Sequence, residues 1–400
     1  MSTTGLILPS SGYRTEDFIT AARRLRCDLV VISDEHQILA TPDQFMEVDL
    51  NEPDASADRI ARTFPNLDAI IAADDGGVLL AAKVGELLDL PHNPPAAAAA
   101  TRDKIAQRMA WQRAGLAQPD FRIVRSADEL NTDLPYPVVV KPASRSASEG
   151  VIRADDVDAL ESAYERTRRL VGDSAPLIVE TFMPGREVAL EALLRQGELT
   201  PLSLFDKPDP MDGPYFAETI LISPSRLAPH LQRRVKQAAG DACRALGLEE
   251  GPVHIEFRVS DDGVPGLIEL AARPIGGMCG RAIRFSVLSV PLEEILMRAA
   301  LGRSIGSIEP SSAATGVYML NAPQTGTFVN VSGVAQALEV PGIIEVTITA
   351  ARGSTVTALP DGGSYLGFVF ARAATPHAVE VALRAGQSKL RTHITPLSGE

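Results

Sequence analysis

Two glutamates carry the chemistry this chain displays most plainly: Glu256 in GPVHIEFR (residues 251–258) and Glu269 in GLIELAARPIGG (residues 266–277). They flank a turn centred on Asp262-Gly263, a strong hairpin signal. A two-residue turn pairs Asp261 with Val264, and therefore Glu256 with Glu269. A longer loop closed by Ser260 and Leu267 shifts the pairing by two and keeps the same face. Carboxylates facing each other repel, and a hard divalent cation held by oxygen ligands removes the repulsion. Period-two alternation puts His254, Glu256 and Arg258 on one face, with Val253, Ile255, Phe257 and Val259 on the other. On the second strand Leu267, Glu269, Ala271 and Arg273 share a face, opposite Ile268, Leu270 and Ala272. Glu256, Glu269 and Arg273 therefore converge, and a buried Glu–Arg pair is the alternative to a cation site.

Further polar residues sit at strand ends. Lys141 closes the run Val138-Val139-Val140, where an ammonium can hold phosphate charge or lie along the surface. The loop Ala143–Gly150 carries Ser144, Ser146, Ser148 and one glycine. Small residues of this kind let amides and hydroxyls approach phosphate oxygens, but no G-x-x-x-x-G-K-[ST] motif occurs. Glu180-Thr181-Phe182 ends an apolar strand, a place that suits the edge of an adenine, and Glu187 follows as a carboxylate that suits ribose hydroxyls or is simply solvated. Gly276 and Gly277, just after Arg273, allow close backbone approach to a ligand. Cys279 has no general base beside it in sequence and reads as structural.

These residues need elements to hold them. Up to about residue 95, strands at Gly5–Leu8, Asp28–Ile32, Phe45–Val48 and Ala69–Ala73 alternate with helices at Phe18–Leu25, Ala57–Phe64 and Val78–Leu88, which implies a parallel sheet. A helix is expected from about Pro95 to Ala114. Next come a strand leading into Lys141, a helix at Val157–Leu170, and a strand over Pro176–Phe182. Two strands follow within Gly185–Phe205, around Gly197, and then a helix at His230–Leu246. The glutamate hairpin is followed by a helix at Pro291–Leu301. Short strands from Thr315 onward precede a last helix at Pro376–Leu390.

The 400 residues suggest two or three domains. The formal net charge of −13 argues against nucleic-acid and anionic-membrane partners. Three scattered cysteines fit neither a disulfide framework nor a zinc site and point to a reducing, cytoplasmic setting. The first residues do not read as a signal peptide, and no apolar run reaches the length of a membrane span. A homodimer remains open.

Taken together, the motifs resemble the ATP-grasp superfamily, specifically carboxylate–amine ligases that include bacterial L-amino acid ligases. The resemblance runs through DLPHNPP, TRDK (Thr101 to Lys104), VVVKP, the S-x-S-x-G-V of Ser146–Val151, IVETF, GRE, DKPDPMDGPYFAETILISPSRL (Asp206 to Leu227), HIEF, IELAARPIGG and YLGFVFAR. It implies an α/β and α+β chain with the ATP-grasp fold. That fold comprises an N-terminal Rossmann-like parallel-sheet domain (1–95), an ATP-grasp domain (96–310) with an antiparallel core sheet and a mobile lid subdomain (about 117–182), and a small C-terminal α+β subdomain (311–400).

By position, the resemblance puts Lys104 and Lys141 on the ATP phosphates, and Ser146, Ser148 and Gly150 in the lid loop that covers them. Glu180, Thr181 and Phe182 become the adenine hinge and Glu187 the ribose carboxylate. Glu256 and Glu269 become ligands of Mg²⁺ (or Mn²⁺), and Arg273 steadies the transferred group. Gly276 and Gly277 lie near the acyl acceptor, while Glu218 and His254 contact substrate, Glu218 as a holder of an ammonium. Two departures stand out. Ala271 occupies a place where many relatives have Asn, and Glu149 sits in a lid loop poor in glycine. The implied reaction uses ATP to join a carboxylate and an amine through an acyl phosphate. Phosphoryl transfer or carboxylase-like chemistry on the same fold, and a nucleotide-binding scaffold without turnover, are the alternatives.

Overall fold

The computed structural model describes residues 2–35, 42–130, 133–283, 290–308 and 312–397. The expected boundary at 310/311 lies outside the described residues. Near the N-terminus, strands Gln44–Glu47, Asp28–Ser33, Thr3–Ile7 and Ala69–Ala72 form a parallel sheet in that spatial order. Asp28–Ser33 and Ala69–Ala72 are near-continuous apolar runs because both faces are covered, whereas the edge strand Gln44–Glu47 is exposed at both ends. Ile7, Val30 and Ile32 pack against Ile60, Leu80 and Val84, while Leu6, Leu29 and Val31 pack against Phe18, Ala22 and Leu25.

The centre is an eight-stranded antiparallel sheet. Its order runs Pro265–Ala271, Gly251–Val259, Arg186–Arg195, Glu198–Asp206, Ile220–Ser223, Ala314–Asn321, Tyr365–Ala373 and Ile343–Ile348. The sheet passes without a break from the glutamate hairpin to the C-terminal strands. One face at the hairpin end buries Val188, Leu190, Ala192, Val253, Ile255 and Phe257 against the helix Pro229–Leu246 and Trp111. The polar residues that alternate with these, Glu187, Glu191, His254, Glu256 and Arg258, therefore turn to the other face.

Above that face stands a smaller antiparallel sheet of Phe121–Val124, Leu177–Thr181, Val138–Pro142 and Ile152–Ala154, backed by the helix Val157–Val171. Asp156 caps that helix by accepting from the Ala159 N–H. A three-stranded sheet of Thr355–Val356, Gly326–Ser332 and Arg391–Thr395 completes the C-terminal part. No helix among the described residues is long and apolar enough to cross a membrane.

Two expectations need correction. The helix expected over Pro95–Ala114 is two helices, Pro95–Ala100 and Lys104–Arg113. Asp103 interrupts them with an extended backbone, and its carboxylate accepts from the N–H groups of Ile105 and Ala106, so it is an N-cap rather than a helix interior residue. This break makes Lys104 the first residue of a helix.

The second correction concerns the hairpin. Glu256 does face Glu269, but neither expected turn produces that register. Ser260 and Val264 close a three-residue loop in which Gly263 has φ +77°, the left-handed position such loops require. That loop alone would put Glu256 opposite Ile268. A bulge at Ile268, between the pairs Phe257–Leu267 and Glu256–Glu269, restores the alignment. The bulge also exchanges two side chains between faces: Leu267 joins the core with Leu270 and Ala272, and Ile268 joins Glu269 and Ala271 at the cleft.

Candidate active site

The smaller antiparallel sheet, which corresponds to the expected lid, and the central sheet enclose a cleft of about 300 Å³. Lys104, Lys141, Ser146, Ser148, Glu180, Thr181, Phe182, Glu187, Glu218, His254, Glu256, Glu269, Arg273, Gly276 and Gly277 all line it. Gly150 does not. It turns at φ +67°, donates its N–H to Pro360 O at 2.8 Å, and packs against Pro142, Thr167 and Leu170. A second cavity, of about 80 Å³ beside His92 and Asn93, holds none of these residues.

Each of the paired glutamates is held by a lysine. Lys104 Nζ donates to Glu269 Oε1 at 2.9 Å and to Arg145 O in the lid loop at 2.6 Å. Lys207 Nζ lies 2.8 Å from Glu256, 2.9 Å from Glu187 and 2.5 Å from Glu218. Burial alone would lower the pKa of Lys207, but the three carboxylates raise it well above the usual ammonium range. Burial works against the Glu256 carboxylate too, and Lys207 and His254 hold its pKa well below the ordinary value. Glu187 also accepts from Arg258 Nε at 3.1 Å.

His254 links this cluster to the deeper sheet. One ring nitrogen meets the buried Glu191 carboxylate and the other lies 3.3 Å from Glu256. Burial disfavours the imidazolium, yet Glu191 and Glu256 outweigh it and push the pKa up to about 9. Glu191 also accepts the Ile275 N–H at 3.1 Å, tying the loop after Arg273 to the same strand. His254 thus touches the metal-type carboxylate and, among the described residues, sits behind it.

Arg273 pairs with Asp75 at 3.0 Å. Asp75 follows the parallel strand Ala69–Ala72, so the N-terminal sheet contributes a charge to the cleft. Burial opposes the charged form of Arg273, and Asp75 more than offsets it.

At the nucleotide-type end, Glu180 is fully buried between Arg108, 2.9 Å away, and Lys141. Burial would raise its pKa, but the two cations hold it down at about 2. The amides of Thr181 and Phe182 donate to Asp120 O and Pro137 O, so both are already engaged within the chain. Phe182 instead lies between Arg153 and Arg258, whose guanidinium carbons are 4.4 and 4.8 Å from the ring centre. Cys279 is buried, and its thiol is pushed up by that burial, as befits a structural residue.

Sequence reasoning passed over Lys207, Asp75, Glu191 and Arg108, and gave Arg258 a face but no role. Lys207 lay within a quoted motif without a role. Asp75 had a legible signal, because ligands in parallel α/β sheets gather at the carboxyl ends of the strands.

Glu256 and Glu269 supply oxygen donors only, and their side chains remain 19% and 32% exposed toward the cleft. This chemistry fits Mg²⁺, which takes one or two carboxylates and completes its shell with substrate phosphates and water. No cluster of three or more His, Cys, Asp or Glu suited to a metal occurs among the described residues.

Comparisons with known proteins bear on the family and the fold. Residues 134–282 match the ATP-grasp domain family, and residues 318–395 match L-amino acid ligase C-terminal domain 2. The alanine–anticapsin ligase of Bacillus subtilis is 28% identical over 242 residues, covering 54% of this chain and 50% of that protein. The D-alanine–D-alanine ligase of Cupriavidus necator is 30% identical over 200 residues, covering 47% of this chain and 58% of that protein. The chain thus spans about half the length of these two relatives. The crystal structure of an L-amino acid ligase from Bacillus licheniformis superposes with a TM-score of 0.85 at 26% identity, covering 99% of both chains.

Proposed function

We propose that this chain, an ATP-grasp enzyme of the ligase type that forms carbon–nitrogen bonds, joins the carboxylate of an amino acid or related small metabolite to an amine. An acyl phosphate is the intermediate, and ADP and phosphate are released. The observation that carries this reading is the facing pair Glu256 and Glu269, each matched to its own lysine, in one cleft with Arg273.

The chain's own groups do most of the positioning. Lys104 and Lys141 offer cationic charge where phosphates would lie, beneath Ser146 and Ser148 of the lid. Glu187, steadied by Lys207 and Arg258, suits ribose hydroxyls. Mg²⁺ held by Glu256 and Glu269 would neutralise charge on the transferred phosphoryl group. Arg273, oriented by Asp75, stabilises the anion that develops as the substrate carboxylate attacks phosphorus. The attack forms the bond from carboxylate oxygen to phosphorus and breaks the bond to ADP. The amine then adds to the acyl carbon, loses a proton and expels phosphate. Closure of the lid keeps water from the acyl phosphate. The three buried thiols fit a reducing compartment, and we assign the protein to the cytoplasm.

The test is a screen of amino-acid pairs for phosphate release, followed by product mass. An amide together with ADP is expected. A stable phosphorylated or carboxylated product, or ATP binding without ADP for every pair, would overturn the reading.

A further inference from the structure

The lid is fastened to the C-terminal part of the chain. Gly150 at the end of the lid loop donates to Pro360 O at 2.8 Å. On the lid helix, Arg166 Nε and Nη2 meet Asp361 Oδ1 and Oδ2 at 2.9 and 2.8 Å, a two-point fork. Gly363 lies so close to the lid loop that a Cβ there would stand 2.6 Å from Ala147 O. Ala147 and Ser148 themselves carry positive φ, +53° and +57°, a conformation that needs support from outside the loop. A second tie joins the lid strand Ile152–Ala154 to the segment before Glu218: the Arg153 N–H donates to Pro214 O at 2.9 Å and Arg153 Nη1 to Asp212 O at 2.7 Å.

We propose that the loop Leu359–Gly363 is a positioning element for the lid, acting through Asp361 and Gly363 to hold Ser146–Ser148 over the cleft. The loop leads directly into Tyr365, whose hydroxyl donates to Glu218 at 3.3 Å inside the cleft. The same short segment therefore touches both the lid and the wall of the substrate end, and filling that end favours closure. The Arg166–Asp361 pair is exposed, 39% and 51%, so it adds little to global stability and its removal leaves the fold intact. Its role appears in closure instead. An ajar lid admits water, which attacks the acyl phosphate, returns the carboxylate and inorganic phosphate, and leaves the amine unjoined.

The inference rests on the ligase reading for this water-exclusion step alone, and two measurements separate the two ideas. In the full-length protein, tryptic cleavage after Arg145 is followed with and without a non-hydrolysable ATP analogue and Mg²⁺. The analogue should protect the wild type, and Asp361→Ala and Gly363→Ala should lose at least half of that protection. The charge exchange R166D/D361R should regain it. In turnover, the ADP released per amide formed should rise at least twofold in both single variants and fall back in the exchanged pair. Protection and ratio both unchanged in Gly363→Ala, or no recovery in the exchanged pair, overturn the proposal. Absence of amide from the wild type counts against the ligase reading, and the protease pattern then decides the proposal alone.

Discussion

The Lys207 ammonium lies 2.8 Å from Glu256, so the charge that balances a metal-type carboxylate comes from the neighbouring segment Asp206–Leu227 rather than from the hairpin itself. The same ammonium serves Glu187 and Glu218. Replacing Lys207 with Met leaves three carboxylates together in a buried place. Breaking a buried ion pair in this way costs about 3 kcal/mol or more. Urea unfolding should show that loss, and Mn²⁺ should recover part of it by taking over the role of the missing charge.

Glu269→Gln keeps the size of the side chain and removes its charge. Because Glu269 remains 32% exposed and pairs with Lys104 at the cleft, the fold should persist. Carboxylate-dependent ADP release should fall by about 10²–10³, the scale of losing one preorganised charge-stabilising group. Circular dichroism alongside the rate measurement separates the two effects, and unchanged turnover would remove Glu269 from the metal site.

Asp75→Asn leaves Arg273 with a weaker partner and a less defined position. A misplaced charge near the reacting atoms lowers kcat by up to about 10²-fold. KM for ATP should change less than kcat, since Asp75 hydrogen-bonds Arg273 rather than the residues of the strand end Glu180–Phe182. Steady-state kinetics with ATP and the carboxylate varied separately would show the split, and a pure KM effect would contradict it.

Two titrations should shape stability against pH. The folded-state pKa of His254, about 9, lies above its unfolded value of 6.5. Its contribution is therefore complete below pH 6.5 and is lost as pH rises through 9; the shift corresponds to up to about 3 kcal/mol. Glu180 behaves in the opposite sense. Its folded value of about 2 lies below 4.5, so its contribution is present above pH 4.5 and is lost as pH falls toward 2. Urea midpoints measured from pH 6 to 10 should decline in the wild type and flatten in His254→Gln.

Much of the site was legible because its residues sit on regular strands, where alternation assigns faces. The shared face of Glu269 and Arg273 and the apolar backing of Ile255 and Phe257 follow from that rule, whereas the opposition of Glu256 and Glu269 depends on the bulge at Ile268, which alternation does not predict. What escaped was long-range. Lys207 meets Glu187 and Glu256 across distances in sequence that no local pattern encodes, and Asp75 reaches Arg273 from another sheet. That Asp120 and Pro137 accept from the amides of Thr181 and Phe182 was likewise not legible, because only the strand register reveals it. The break at Asp103 was readable as a capping residue, but the helix-forming alanines before it masked the signal.

The bulge at Ile268 gives the hairpin a phase adjuster. Without it, the length of the connecting loop would dictate which residues stand opposite each other, and every insertion or deletion of a single residue would rotate one glutamate out of the cleft. With it, an odd change in the loop is cancelled one strand position away from the functional pair. Loops of different lengths can therefore be exchanged at the tip, provided the bulge is added, removed or moved in step, while the two carboxylates keep their opposition.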